Sequence, residues 1–145
     1  MMIQKAISKD ASPLAQLACE LWPGDPLEDR EKEMVELTGD EEAACFLAYE
    51  GNEAVGFAQC QLRHDYVEGT DTSPVGYLEG IYVRENFRHK GIARALLTAC
   101  ENWAREMGCT EFASDCELDN TQSLAFHMHV GFDEANRVIC FTKKL

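Results

Sequence analysis

The sequence predicts an α+β fold in which a mixed, mostly antiparallel sheet is flanked by about four helices. Three observations carry that expectation. Short β-branched and aromatic runs alternate with segments of helical periodicity. Two of those runs, Ala43–Tyr49 and Ala54–Arg63, are joined by Glu50-Gly51-Asn52-Glu53, a turn suited to antiparallel neighbours. A third run, Val75–Val83, is broken by Gly76 and Gly80 and leads through a short basic loop into a long amphipathic helix. At 145 residues the chain is sized for one domain, 1–145, around a single core.

Taken in order, Met2–Ile7 reads as a first strand. Ser12-Pro13 opens a helix, Ser as N-cap and Pro in its first position, with Leu14, Leu17, Ala18 and Leu21 as the buried stripe. Trp22-Pro23-Gly24-Asp25-Pro26 stops it. Trp22 suits either a core position or a platform for a sugar-like ligand. Leu27–Leu37 is a second, highly charged helix anchored by Met34, Val35 and Leu37. After the paired strands comes the polar loop His64–Pro74, long enough to be either functional or disordered; its Tyr66 and acids favour function. A bulge is expected at Glu79-Gly80-Ile81.

From Gly91 onward, Ile92, Leu96, Ala99, Trp103 and Met107 recur at helical spacing, widened by Leu97, Cys100 and Ala104. Gly108 caps that helix, and Thr110–Asp115 is a strand ending in an acid. Thr121–Val130 is the fourth helix, closed by Gly131. Phe132–Glu134 and Arg137–Lys143 are expected to form a hairpin at the sheet's edge.

Composition narrows the partners. Asp and Glu number 26 against 13 Lys and Arg, a net charge of −13 that argues against nucleic acid or an anionic membrane. Nine carboxylates (25, 28, 29, 31, 33, 36, 40, 41, 42) crowd the window Asp25–Glu42 against Arg30 and Lys32, which suits a cationic ligand or simply a well-solvated face. No window approaches the ~20 apolar residues of a membrane span, and MMIQKAISKD carries no apolar signal run, so a cytoplasmic location is expected. Seven scattered cysteines without a C-x-x-C pair read as buried thiols in a reducing compartment. His127 and His129 lie two apart on a helix and face different ways, so no metal site is expected.

The loop Arg88-His89-Lys90-Gly91-Ile92-Ala93 entering the long helix is an anion cradle, because the first N–H groups of a helix lack partners and its dipole favours negative charge. Side chains at Gly91 and Ala93 must be small if a phosphate is to reach the backbone. This loop resembles the Q/R-x-x-G-x-G/A pyrophosphate loop of the GNAT superfamily of acetyl-CoA-dependent N-acetyltransferases. The order continues through Thr110–Asp115, Asn120 and Phe126-x4-Gly131-Phe132. Within the superfamily, RHDYVEGTDTSPVGYLEGIYV, with LWPGDP upstream and FASDCELDN downstream, is similar to the aminoglycoside 6'-N-acetyltransferase branch, whose activity confers antibiotic resistance.

That resemblance implies a GNAT fold, acetyl-CoA as co-substrate, a cationic aminoglycoside as acceptor and a homodimer formed through the C-terminal region. It implies that Trp22, Tyr66, Glu79 and Asp115 contact the aminoglycoside. Coenzyme contacts would fall to Ile81, Tyr82 and Val83, to Arg88, His89, Lys90, Gly91, Ile92, Ala93 and Arg94, and to Asn120. At a substrate position near the final strand where relatives often carry an acid, this chain has Asn136.

Direct transfer to an amine needs a held thioester, a neutral nucleophile, a donor for the carbonyl oxygen and a proton for the leaving thiolate. The N–H of Ile81 at the bulge is the candidate donor. The pantetheine arm would pair with Ile81–Val83 as an extra strand. Glu79 is the candidate base, through a water, or else a strand-end acid ion-paired for stability. His127 is the candidate general acid or a structural histidine. Two rival functions remain open on the sequence: acetyl transfer to another cation, such as a polyamine or a protein N-terminus, and a sensor that binds acetyl-CoA without turnover.

Overall fold

The computed structural model describes residues 1–145. Its sheet has five strands in the order β1-β2-β3-β4-β5: Met2–Lys5, Ala43–Glu50, Glu53–Arg63, Val75–Val83 and Phe112–Ser114. The first four pair antiparallel, and β5 lies parallel to β4. Four helices accompany them: α1 Ala11–Leu21, α2 Leu27–Gly39, α3 Ile92–Glu106 and α4 Thr121–His129. The mixed, mostly antiparallel α+β architecture is the expected one, and no helix is long and apolar enough to cross a membrane.

Both faces of the sheet are covered, which is why β2 reads as an unbroken apolar run rather than an alternating one. Successive side chains point to opposite faces. Ala44, Phe46 and Ala48 pack with Leu96, Leu97, Cys100 and Trp103 of α3. Cys45 and Leu47 pack on the other face with Leu14, Leu17 and Ala18 of α1 and Met34 of α2. Four cysteines (45, 60, 100 and 109) are buried as free thiols, whereas Cys116 and Cys140 are exposed, against expectation.

Helix α2 is held differently from α1. Its buried residues are Met34 and Arg30, and Val35 is exposed. The Arg30 guanidinium reaches Asp25 at 3.0 Å, Glu33 at 3.2 Å and the Trp22 carbonyl at 3.1 Å. Arg30 also lies over the Trp22 ring, 5.6 Å from its centroid. One buried cation thus ties the turn after α1 to α2 and fixes the Trp22 ring.

Several expected boundaries move. Helix α1 begins at Ala11 with Asp10 as N-cap, because a 3-10 turn at Ser8–Asp10 runs straight into it; Ser12 therefore falls inside the first turn. Met107 lies beyond α3 and is exposed, so the buried stripe ends at Trp103 and Ala104. The largest departure is the C-terminus. No strand follows β5, and the expected hairpin of Phe132–Glu134 with Arg137–Lys143 does not form. Phe132 still packs near Phe112, ring centroids 6.3 Å apart, but Val138, Ile139 and Phe141 are 69%, 81% and 88% exposed. A strand needs a neighbour, and within one chain this segment has none.

The polar loop 64–74 is fastened rather than loose. Glu111 accepts from the Asp71 N–H at 2.9 Å, the Thr72 N–H at 2.8 Å and the Thr72 hydroxyl at 2.5 Å. Ser73 closes its base on the His64 carbonyl at 2.8 Å.

Candidate active site

The site is made by a divergence of two strands. On one side β4 pairs with β3 along its whole length, to Val83. On the other it pairs with β5 only over Gly76–Leu78. Beyond Leu78 the β5-side backbone groups of β4 therefore have no ladder partner. At the same point the register with β3 slips: Leu78 faces Cys60 and Gly80 faces Gln59, leaving Glu79 as the extra residue of a bulge. The expected bulge is present, and it re-aims Glu79. Gly80 is required there for space, since a side chain would overlap the Trp22 ring.

A cavity of about 880 Å³ fills the gap between the strands. One end is the entry to α3. Gly91 is the N-cap with φ 82°, and His89 also has positive φ, 63°. No side chain caps this helix, and open space lies where a Gly91 Cβ would be. The first intrahelical bond runs from the Ala95 N–H to the Gly91 carbonyl, leaving the N–H groups before it free for an anion. Arg88, His89, Gly91, Ile92, Ala93 and Arg94 all line this end; Lys90 does not, and its ammonium lies 5.5 Å from the Phe87 ring centroid. Arg88 donates from Nε to the Val83 carbonyl at 2.7 Å, which orders the loop against β4. Asn120 lines the cavity as N-cap of α4, its Oδ1 accepting from the Ser123 N–H at 3.0 Å, with the amide nitrogen left over. These features fit a diphosphate-bearing coenzyme with its arm along Ile81–Val83.

The other end is acidic and aromatic. Glu79 and Asp115 both line the cavity, as does Trp22, which packs edge-on to Phe57 with centroids 5.9 Å apart. Trp22 thus serves as core and as cavity wall. Two residues that the sequence reading missed organise the acids. Tyr77 donates its hydroxyl to Asp115, and burial, with that hydrogen bond second, raises its pKa far above the ordinary phenol value. Arg63 donates from Nη2 to both oxygens of Glu79, at 2.5 and 2.9 Å, while its guanidinium lies 3.5 Å from the Tyr77 ring centroid.

Tyr66 and Asn136 stand apart from this cavity. Tyr66 is 77% exposed, its hydroxyl 3.4 Å from Glu68. Asn136 donates to the other Glu68 oxygen at 3.3 Å, so Glu68 joins the loop to the C-terminal segment. None of the nine carboxylates of Asp25–Glu42 lines the cavity. Asp25 and Glu33 are taken by Arg30, and Glu42 lies 3.0 Å from His64. Three of the nine are thus engaged by the protein's own side chains, and the window as a whole stays off this cavity.

His127 lines the cavity, with both ring nitrogens engaged. Nδ1 is 2.7 Å from the Ser123 carbonyl, which can only accept, so Nδ1 carries a proton. Nε2 is 2.8 Å from the Ser114 hydroxyl, itself 3.5 Å from the Leu78 carbonyl and on the cavity wall. A neutral His127 accepts from Ser114; an imidazolium donates to it and frees the serine proton to point elsewhere. Ser114 was not legible as a site residue, since nothing in its local sequence marks it.

An anion cradle, a splayed bulged strand and a paired set of acids share one cavity. The acetyltransferase (GNAT) family model matches residues 11–132. The chain belongs to the GNAT family. Among curated GNAT relatives, aminoglycoside N(6')-acetyltransferase type 1 of Stenotrophomonas maltophilia is 46% identical over 99% of this chain and 93% of its own length. The enzyme of the same name from Acinetobacter haemolyticus is 40% identical over 100% of this chain and 99% of its own. Among solved structures, AAC(6')-Iy in complex with a CoA-S-monomethyl-acetylneamine bisubstrate analogue has a TM-score of 0.95 at 38% identity, covering 99% of this chain and 98% of that one. AAC(6')-IG from Acinetobacter haemolyticus, solved without ligand, has a TM-score of 0.93 at 40% identity, covering 100% and 99%. The GNAT fold expected from the sequence stands.

Proposed function

We propose that this protein transfers the acetyl group of acetyl-CoA to the 6'-amine of aminoglycoside antibiotics, by direct attack within a ternary complex. The observation that carries this reading is one cavity joining the free N-terminus of α3 to Glu79 and Asp115 across the gap between β4 and β5. The relatives named for this reaction span the whole chain, which supports the same acceptor here.

Acetyl-CoA, when bound, supplies the activated thioester. The chain's residues do the rest. The free amides entering α3 hold the diphosphate, with Arg88 ordering the loop behind them. The unpaired edge of β4 aligns the pantetheine arm, and the Ile81 N–H polarises the carbonyl. Glu79 and Asp115 hold the acceptor's ammonium groups and Glu79 receives the proton, directly or through water. His127, acting through Ser114, returns a proton to the departing sulfur. No covalent enzyme intermediate is involved.

The active form is a homodimer. Val138, Ile139 and Phe141 lie along a segment that makes no ladder in its own chain, and apolar side chains so displayed are usually covered by a partner. A second copy would also enclose the loop that presents Tyr66 and Glu68 beside Asn136, adding them to the acceptor site. The enzyme works in the cytoplasm, where acetyl-CoA is supplied.

Kanamycin, which carries a 6'-amine, and paromomycin, which carries a 6'-hydroxyl, test the reading by thiol release and by binding. Both should bind and only the amine should be acetylated. Equal turnover of the two, or acetylation on another ring, would overturn it.

A further inference from the structure

Arg63 poses a problem that the proposed chemistry does not absorb. A site meant to receive an ammonium holds, on its most central carboxylate, a cation of the protein's own. The arrangement is not a surface accident. The Glu79 side chain is 16% exposed and that of Arg63 39%, and both Glu79 oxygens face one nitrogen of Arg63. The guanidinium carbon lies 3.5 Å from the centroid of the Tyr77 ring, whose hydroxyl is committed to Asp115. Neither Arg63 nor Tyr77 lines the cavity, whereas Glu79 does. The guanidinium therefore meets Glu79 from outside the cavity. A carboxylate has about four lone-pair directions, so the side facing the cavity can still accept.

We infer that Arg63 stays on Glu79 during the reaction and makes the ammonium bound beside it more acidic, so that the nucleophile is delivered as a neutral amine. The inference rests on the function proposed above. Carboxylates around a bound ammonium stabilise its charge and oppose loss of its proton; a fixed cation sharing the same carboxylate acts the other way. The site needs both effects, attraction for the polycation and one place where a positive charge is disfavoured.

The other groups around Glu79 do not duplicate this role. From the segment after β5, Asp115 and Glu117 add negative charge, and from β4 Tyr77 stays neutral. The end of α1 contributes Leu21 and Trp22, without charge. His127 and His129 of α4 line the wall beyond Ser114, and Arg88 and Arg94 line the diphosphate end. Arg63 is the cation in hydrogen-bond contact with Glu79.

The test compares the parent protein with Arg63→Gln and Arg63→Lys, each first shown to be folded by circular dichroism and thermal melting. Aminoglycoside binding is followed by calorimetry in buffers of different ionisation heat, which counts protons exchanged without needing turnover. Relative to the parent, Arg63→Gln should bind kanamycin several-fold more tightly and release fewer protons (or take up more). In steady-state assays the acidic limb of its kcat profile should move to higher pH by about one unit or more, the scale of a charge within ~4–6 Å. Activity should approach that of the parent at alkaline pH. Arg63→Lys should restore both the proton count and the limb. Weaker binding with an unchanged proton count, or a kcat loss equal at every pH that lysine does not repair, would make Arg63 a structural clamp and overturn the inference. A parent protein that binds but does not acetylate would defeat the proposed function, while the calorimetric comparison would still decide the role of Arg63.

Discussion

Two residues show how much a single side chain, or its absence, decides here. Gly91 starts α3 from a left-handed conformation, φ 82°, with nothing within 4 Å of the place where a Cβ would be. Alanine therefore meets no protein atom, but it pays roughly 1–2 kcal/mol of backbone strain and puts a methyl group where the coenzyme's phosphates approach. Gly91→Ala should raise the KM for acetyl-CoA much more than that for the aminoglycoside, because it obstructs anion binding at the helix N-terminus. Steady-state kinetics with each substrate varied in turn decides it, and an unchanged coenzyme KM would remove the anion cradle. The second case is Ser114. If its hydroxyl is the link between His127 and the cavity, Ser114→Ala and His127→Gln remove one device. Each should lower kcat by on the order of 10²-fold, the lower end of general acid–base effects, and the double variant should lose little more than either single one. Additive losses would show two separate roles.

Among the elements, the loop 64–74 is expected to loosen on acidification. Its anchor, Glu111, lies far along the chain, and the hydrogen bond from the Thr72 hydroxyl, then that from the Asp71 N–H, holds its carboxyl below the usual range. A lowered folded pKa means that the anchoring is fully present above the ordinary carboxylate value of ~4.3 and fades as pH falls through the folded one. Hydrogen exchange at Asp71 and Thr72 should therefore accelerate on acidification, after correction for the intrinsic rate. Glu111→Ala should produce the same acceleration at neutral pH. Protection that persists in Glu111→Ala would place the anchor elsewhere, for example in the Ser73 bond to His64. The strand β4 is the opposite kind of element. Its ends match the sequence reading, because its apolar, β-branched and aromatic run sets them locally. Its glycines answer instead to distant neighbours, since a Cβ placed on Gly76 would come within 2.6 Å of Phe112 and 2.7 Å of Ala104, and one on Gly80 would overlap Trp22.

At the level of the assembly, residues 138–141 expose apolar side chains that the proposed dimer would cover. Light scattering at micromolar concentration should report a dimer, and a chain ending at Phe132 should be monomeric with its CD spectrum retained. A monomeric full-length protein would refute the dimer, and a truncated dimer would move the interface elsewhere. Acceptor kinetics on the truncated chain then show whether the segment bearing Asn136 completes the site, since Glu68 loses that contact with it.

The sequence by itself determined what local order can encode. Hydrophobic period separates strands from helices, so β4 and the core of α3 were legible to within a residue or two. The anion cradle was legible because glycine and the residues around it act through the backbone, in register with the helix that follows. Tertiary structure decided whatever depends on which side chains meet. Arg63 and Glu79 are 16 residues apart, and Tyr77 and Asp115 are 38 apart; strand pairing and the β4–β5 divergence bring them together. Charge composition left Asp25–Glu42 open between a ligand face and a solvated one, because a count of carboxylates carries no information about the direction each one faces. The C-terminal segment expected to form a hairpin misdirected the reading for a related reason. Its apolar residues record the capacity to form a strand, whereas a strand exists only beside another, and no strand of this chain lies beside Val138, Ile139 and Phe141.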